Sequence, residues 1–155
     1  MNIYEILQNE AFDDEIMVKE IDFESNSLGL YYNNKIAINK NKLKTYKEKA
    51  CVLAEELGHH YTSVGDILDL NILENSKQEA KARLHAFNKL IGLTGIINAY
   101  NAQCKNLYDM AEYLNVTEEF LNDAIECYKN KYGQSVSIDH YQIIFLPYLQ
   151  IYKSL

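Results

Sequence analysis

The stretch TYKEKACVLAEELGHHY, which begins at Thr45, carries the strongest folding signal in the chain, because two independent patterns predict a helix there. Thr45 and Glu48 match a capping box, in which each side chain accepts a hydrogen bond from the backbone N–H of the other residue. Leu53, Leu57 and Tyr61 then recur every fourth residue, as on one face of a helix. We therefore expect an amphipathic helix that turns these three side chains toward a core.

A small β-unit is predicted before this helix. The segment LGLYYNNKIAINKN contains two extended runs, residues 28–32 and 35–39, on either side of the pair Asn33-Asn34. Asparagine tolerates the positive φ angles of a two-residue hairpin turn, so the two runs are expected to pair. Residues 16–23 alternate between apolar and polar side chains, which favours a further strand.

Further helices are predicted on both sides of this region. Residues 2–9 favour a short helix. A loop with Gly65 and Asp66 follows the EELGHH segment, and then Ser76 and Glu79 repeat the capping-box pattern. An apolar stripe at helical spacing continues from there, formed by Ala82, Ala86, Phe87 and Leu90.

The C-terminal part of the chain predicts two helices and a strand. Residues 107–114 and 117–132 have helical patterns, and Gly133 ends the second of them. The tail SIDHYQIIFLPYLQIY is rich in Ile, Tyr and Phe, which favours a strand that is interrupted or ended by Pro147.

These patterns predict an α+β fold, mainly helical, with a small N-terminal sheet or hairpin and a helix-turn-helix-like C-terminal helix pair. A chain of 155 residues is long enough to bury a core in one domain. We expect a single domain over residues 1–155. Residues 1–105 would carry the EELGHH segment, and residues 106–155 the helix pair and the C-terminal strand.

Charge and cysteine content narrow the classes of partner. A formal net charge of −7 argues against nonspecific binding to nucleic acid or to anionic lipid, because such binding needs clustered Lys and Arg. Three cysteines, at positions 51, 104 and 127, do not indicate a disulfide framework. The first residues lack the pattern of a secretory signal and no segment has membrane-spanning length, so we expect a cytoplasmic protein.

The letters EELGH resemble the H-E-x-x-H helix of zinc proteases, with Glu55 in the place of the first histidine. On a helix Glu55 and His59 lie within about 40° of each other, so both can reach one ion. Glu56 is turned from Glu55 by about 100°, where its carboxylate could hold a water molecule. A catalytic zinc needs a third protein ligand, and Glu79 on the next predicted helix is the candidate.

Other interpretations of the same residues stay open at the level of sequence. Glu56 and His60 are also four residues apart, although this register would use the base as a ligand. A helix that ended near Gly58 would allow His60 or Asp66 to take part. Glu55 and His59 could also be an ordinary surface pair. Glu79 could simply complete the capping box with Ser76.

The segments EKACVLAEELGHHYTSVGDIL and KQEAKARLHAF resemble the ImmA/IrrE family of metallo-endopeptidases, particularly members from phages and mobile elements. The likeness extends to the hairpin before the helix and to the stretch YDMAEYLNVTEEFLNDAIECYKNKYG. The resemblance implies a zincin-like fold, with Glu56 as the general base. It also implies that His59 and Glu79 are metal ligands, whereas Glu55 departs from the family pattern.

The resemblance implies a zinc-dependent endopeptidase that cleaves or inactivates a helix-turn-helix repressor of a phage or mobile element. A ligand set of Glu55, His59 and Glu79 would neutralise the ion, which predicts lower activity or a preference for a harder metal such as Mn²⁺. The alternative is a weak or inactive family member that acts as an antirepressor by binding protein without proteolysis.

The predicted helix pair at residues 107–132 also mimics a DNA-reading helix-turn-helix. Its second helix carries four acidic side chains that phosphates would repel: Glu118, Glu119, Asp123 and Glu126. We therefore interpret the pair as structural or as a platform for a protein partner, with no direct binding of nucleic acid or membrane.

Overall fold

The computed structural model of the chain describes residues 1–62 and 72–154. They divide into two compact units, Met1–Lys89 and Leu90–Leu155. Helices and two small sheets confirm the α+β class and its mainly helical character. Within these residues, none of the helices combines the length and apolar character that crossing a membrane requires. The predicted loop with Gly65 and Asp66 lies outside them.

Within its described residues, the first unit contains three helices and one three-stranded sheet. In chain order these are α1 (Ile3–Asp13), β1 (Met17–Ile21), β2 (Gly29–Tyr32), β3 (Lys35–Asn39), α2 (Tyr46–Thr62) and α3 (Ile72–Leu90), whose last residue falls in the range of the second unit. The α3 helix begins before Ser76, so Ser76 and Glu79 are interior helical residues and the capping-box interpretation of that pair is wrong.

The sheet of the first unit has the order β1-β3-β2, which leaves β2 at an edge. β1 pairs with β3 in parallel, and β2 pairs with β3 as an antiparallel hairpin. Asn33 and Asn34 have φ angles of 48° and 62°, the left-handed values that a tight two-residue turn requires. The hairpin prediction is therefore confirmed, and β1 lies inside the strand predicted at residues 16–23.

The helix α2 begins where the capping box placed it. The Thr45 N–H donates to Glu48 Oε1 at 3.0 Å, and the Glu48 N–H donates to Thr45 Oγ1 at 3.1 Å. Leu53 and Leu57 are buried as predicted, but Tyr61 is 46% exposed and was wrongly expected in the core. Eight residues of helix rotate its side chain by about 80° from the direction of Leu53.

We expect Thr45→Ala to lower the free energy of unfolding by about 1 kcal/mol, because it removes the oxygen that caps the Glu48 N–H. Urea unfolding followed by circular dichroism would measure this loss. Thr45→Ser keeps the hydroxyl and should stay close to the wild type. Equal stability of Thr45→Ala and Thr45→Ser would contradict the capping role.

The second unit contains three helices and a second sheet. In chain order these are α4 (Gly92–Asn101), α5 (Leu107–Leu114), α6 (Glu118–Tyr132), β4 (Ser135–Ile138), β5 (Tyr141–Ile144) and β6 (Gln150–Lys153). The Thr117 side chain caps α6 by accepting from the Phe120 N–H at 3.1 Å. Asn115 adopts φ 58° between α5 and α6, so both predicted helices are confirmed with nearly their predicted bounds.

The tail of the chain was predicted to be one strand, interrupted or ended by Pro147, and the structure differs. It forms three antiparallel strands in the order β4-β5-β6. Asp139 has a φ of 52°, which reverses the chain between β4 and β5. The apolar run continues through this turn, so periodicity alone did not reveal it.

Candidate functional site

The four residues proposed to carry chemistry line one cavity of the first unit, with a volume of about 430 Å³. Glu55, Glu56 and His59 come from α2, and Glu79 comes from α3. Residues 27–31, which include the start of the edge strand β2, form another part of the lining. The structure therefore brings the predicted side chains together beside the edge strand β2.

Gly58 allows α2 and α3 to approach closely at this cavity. A Cβ atom at position 58 would lie 2.2 Å from the backbone oxygen of Ala82, inside any allowed contact. Ala82 is itself fully buried, so it offers only a methyl group to the interface. This approach carries the α3 backbone past the turn of α2 that holds His59.

His59 and Glu79 form the central contact of the site. The Nε2 atom of His59 lies 2.9 Å from Oε2 of Glu79. This hydrogen bond raises the pKa of His59 against the effect of burial, and it lowers the pKa of Glu79. The other ring nitrogen of His59, Nδ1, is buried and has no hydrogen-bond partner among the described residues.

Glu55 contacts a residue that the sequence analysis did not single out. Its Oε1 atom lies 3.0 Å from Nε of Arg83, a side chain on α3. Burial raises the pKa of Glu55, and the positive charge of Arg83 opposes this shift. The surface-pair interpretation predicted that Glu55 pairs with His59, but its ion-pair partner is Arg83. Glu79 and Arg83 are four residues apart and so share one face of α3, but this spacing does not identify Glu55 as the partner of Arg83.

Glu56 is the most strongly perturbed carboxylate of the cavity. Desolvation raises its pKa from 4.5 to about 7, an effect that the nearby His59 opposes. A Cβ atom on Gly29 would lie 3.0 Å from Glu56 Cγ, so glycine lets the backbone of β2 lie beside this side chain. A carboxyl group that titrates near neutral pH can accept a proton and return it.

His60 is not among the residues that line the cavity. Its Nδ1 atom lies 2.8 Å from the hydroxyl of Tyr31, and its ring packs edge-on against Tyr61. The α2 helix continues to Thr62, so the arrangement that required its end near Gly58 is wrong. Asp66 lies outside the described residues. The pairing of Glu56 with His60 gains no support from this geometry.

The donor atoms of the cavity are of the type that zinc or manganese binds, an imidazole nitrogen and carboxylate oxygens. His59 and Glu79 already present one of each, side by side. Among the residues that the structure describes, however, no group of three His, Cys, Asp or Glu side chains has the geometry to enclose an ion. Glu55, the third predicted ligand, is paired with Arg83 in this arrangement.

Comparison with known protein families places the site within a family. Residues 13–126 match the family model Peptidase_M78, described as an IrrE N-terminal-like domain. The match covers well over half of the chain and includes α2, α3 and every candidate site residue. No match was found among curated proteins.

Proposed function

We propose, since the chain belongs to the Peptidase_M78 family with its IrrE N-terminal-like domain, that it is a zinc-dependent endopeptidase. Its proposed substrate is a helix-turn-helix repressor of a phage or mobile element, which it would cleave or inactivate in the cytoplasm. The observation that carries the proposal is the contact between His59 and Glu79 in the same cavity as the perturbed carboxyl group of Glu56.

The proposal gives each side chain of the cavity a role. His59 and Glu79 would hold Zn²⁺, or Mn²⁺ in its place, and Glu55 would be the third ligand after it leaves Arg83. When bound, the ion supplies Lewis acidity. Glu56 takes a proton from the attacking water as the water oxygen bonds to the peptide carbon. It returns that proton to the amide nitrogen when the C–N bond breaks.

The edge strand β2 suits a polypeptide substrate. Its backbone lies at the edge of the sheet, and its residues Gly29, Leu30 and Tyr31 line the cavity. An extended peptide that paired with this edge would lie next to Glu56. Leu30 and Tyr32 are exposed on the strand and could select side chains of such a peptide.

We further propose that both units serve one functional domain. The family match begins at residue 13 in the first unit and ends at residue 126 in the second. In this account the acidic α6 offers a surface for a protein partner, and neither nucleic acid nor a membrane is a direct partner.

The ion pair between Glu55 and Arg83 favours a second candidate function, binding of the repressor without proteolysis. A site whose first ligand is neutralised by an arginine could keep its scaffold without a bound metal. This candidate predicts that intact repressor copurifies with the chain and that no cleavage fragments appear.

Metal content separates the two candidates. We expect protein purified without chelators or a metal-binding tag to hold nearly stoichiometric zinc by mass spectrometry, and His59→Ala and Glu79→Ala to lose it. His140→Ala removes an exposed histidine of the second unit and should leave the zinc content unchanged. Wild-type protein that holds no metal, and takes up none on titration with Zn²⁺ or Mn²⁺, would favour the binding function.

A further inference from the structure

Arg83 places a permanent positive charge beside Glu55, the residue at the position of the first metal ligand in the family pattern. Its Nε atom lies 3.0 Å from Glu55 Oε1, and Glu55 occupies the place of the first ligand. Arg83 follows Glu79 by four residues, so both side chains leave the same face of α3. One helix therefore supplies a proposed ligand and, one turn later, a cation.

The guanidinium of Arg83 is positioned by a second contact. Its central carbon lies 5.4 Å from the centre of the Phe87 ring, at the distance of a cation–π interaction. Phe87 is almost completely buried and so provides a fixed platform. Arg83 and Glu55 are nevertheless 41% and 30% exposed, which leaves room for the two side chains to separate.

The negative charges of the cavity make the Arg83 cation important for metal binding. Three carboxyl groups, those of Glu55, Glu56 and Glu79, line the cavity with His59. The Arg83 charge acts on Glu55 and also on Glu79. A divalent ion that entered would need the same carboxylate oxygens and would be repelled by the guanidinium.

We propose that Arg83 is a tethered counter-ion that competes with a divalent metal for Glu55. This inference rests on the proposed metal centre and concerns what controls its occupancy by metal. In the closed arrangement Glu55 pairs with Arg83, and His59 and Glu79 are the available donors. In the open arrangement Arg83 has left Glu55, which then completes the set of three ligands. Arg83 is a positioning residue because it acts through Glu55.

Zinc binding by the full chain tests this competition without any substrate. The probe is Zn²⁺ alone, titrated against a chromophoric chelator. We expect Arg83→Met to increase the association constant for Zn²⁺ about tenfold, because the competing charge is gone. Arg83→Lys keeps a positive charge and should gain less. Lys81→Met removes an exposed charge from another side of α3 and should match the wild type within about twofold.

A double-mutant cycle shows whether Arg83 acts through Glu55. In a Glu55→Gln background, Arg83→Met should no longer tighten Zn²⁺ binding. A gain that persists in this background would overturn the proposal, because the effect would then be a general change in charge. Thermal unfolding provides a second readout, since Arg83→Met should lower Tm without metal and show a larger rise with Zn²⁺ than the wild type.

The failure of this inference can be distinguished from failure of the proposed function. Zinc binding that depends on His59 and Glu79 but is unchanged or weakened by Arg83→Met would overturn the competition and leave the metal centre intact. If neither the wild type nor Arg83→Met bound Zn²⁺, the metal centre itself would be wrong and the competition would fall with it.

Discussion

Gly58→Ala is expected to lower the free energy of unfolding by about 2 to 3 kcal/mol, although alanine is the better helix former. The added Cβ would lie 2.2 Å from the Ala82 oxygen and 2.9 Å from the Ala82 carbonyl carbon. Both are backbone atoms, so relief requires α3 to move away from α2. We therefore also expect His59 and Glu79 to separate and zinc binding to weaken.

Gly95→Ala is the matched control for this prediction. Gly95 is another buried helical glycine, but its added Cβ would meet first the end of the Leu114 side chain, at 3.3 Å. A side chain can shift where a backbone cannot, so the change in stability should stay within about 1 kcal/mol. Urea unfolding of both variants gives the comparison. Stabilisation by Gly58→Ala would show that α2 and α3 are not in close contact there.

Glu56→Gln is expected to reduce peptide hydrolysis by about two to four orders of magnitude, because glutamine cannot accept the proton from water. The rate would be measured with the zinc-loaded chain on a polypeptide that the wild type cleaves. Zinc content should stay at the wild-type level, since Glu56 is not assigned as a ligand. Undiminished cleavage by Glu56→Gln would refute the assignment of Glu56 as the base.

The same substitution should stabilise the metal-free chain at alkaline pH. Burial raises the pKa of Glu56 from 4.5 to about 7, so the folded state favours the protonated form. Its contribution to stability is complete below pH 4.5 and is lost as the pH rises through 7. Glutamine stays neutral, and Glu56→Gln should therefore gain about 2 to 3 kcal/mol over the wild type at pH 8 and little at pH 4.5.

Unfolding of both proteins in the presence of a chelator, at pH 4.5 and pH 8, measures this difference. Glu24→Gln removes an exposed carboxylate and is the control for the general effect of removing one negative charge. A Glu56→Gln variant that is less stable than the wild type at pH 8 would mean that the charged carboxylate is well accommodated. The proposal that Glu56 takes up and releases a proton near neutral pH would then fail.

The features that the sequence predicted correctly are those determined by neighbouring residues. The capping box of Thr45 and Glu48 sets the start of α2 through two local hydrogen bonds. Asn33 and Asn34 set the hairpin through their own backbone angles. These interactions form between residues that are close in the chain, so the sequence alone is enough to predict them.

The features that the sequence analysis missed depend on contacts between distant segments. The pairing of Glu55 with Arg83 joins two helices, and nothing in the local pattern of either helix distinguishes it from a pair with His59. The importance of Gly58 lies in the backbone of Ala82, 24 positions away. Exposure of Tyr61 follows from the gradual rotation of a four-residue repeat around the helix.

The most direct test of the metal centre is anomalous diffraction at the zinc absorption edge from crystals of the chain grown with Zn²⁺. We expect an anomalous peak within bonding distance, about 2 Å, of His59 Nε2 and the Glu79 carboxylate. Glu55 should then have moved from Arg83 toward the ion. A zinc peak elsewhere, with His59 still hydrogen-bonded directly to Glu79, would contradict the central claim.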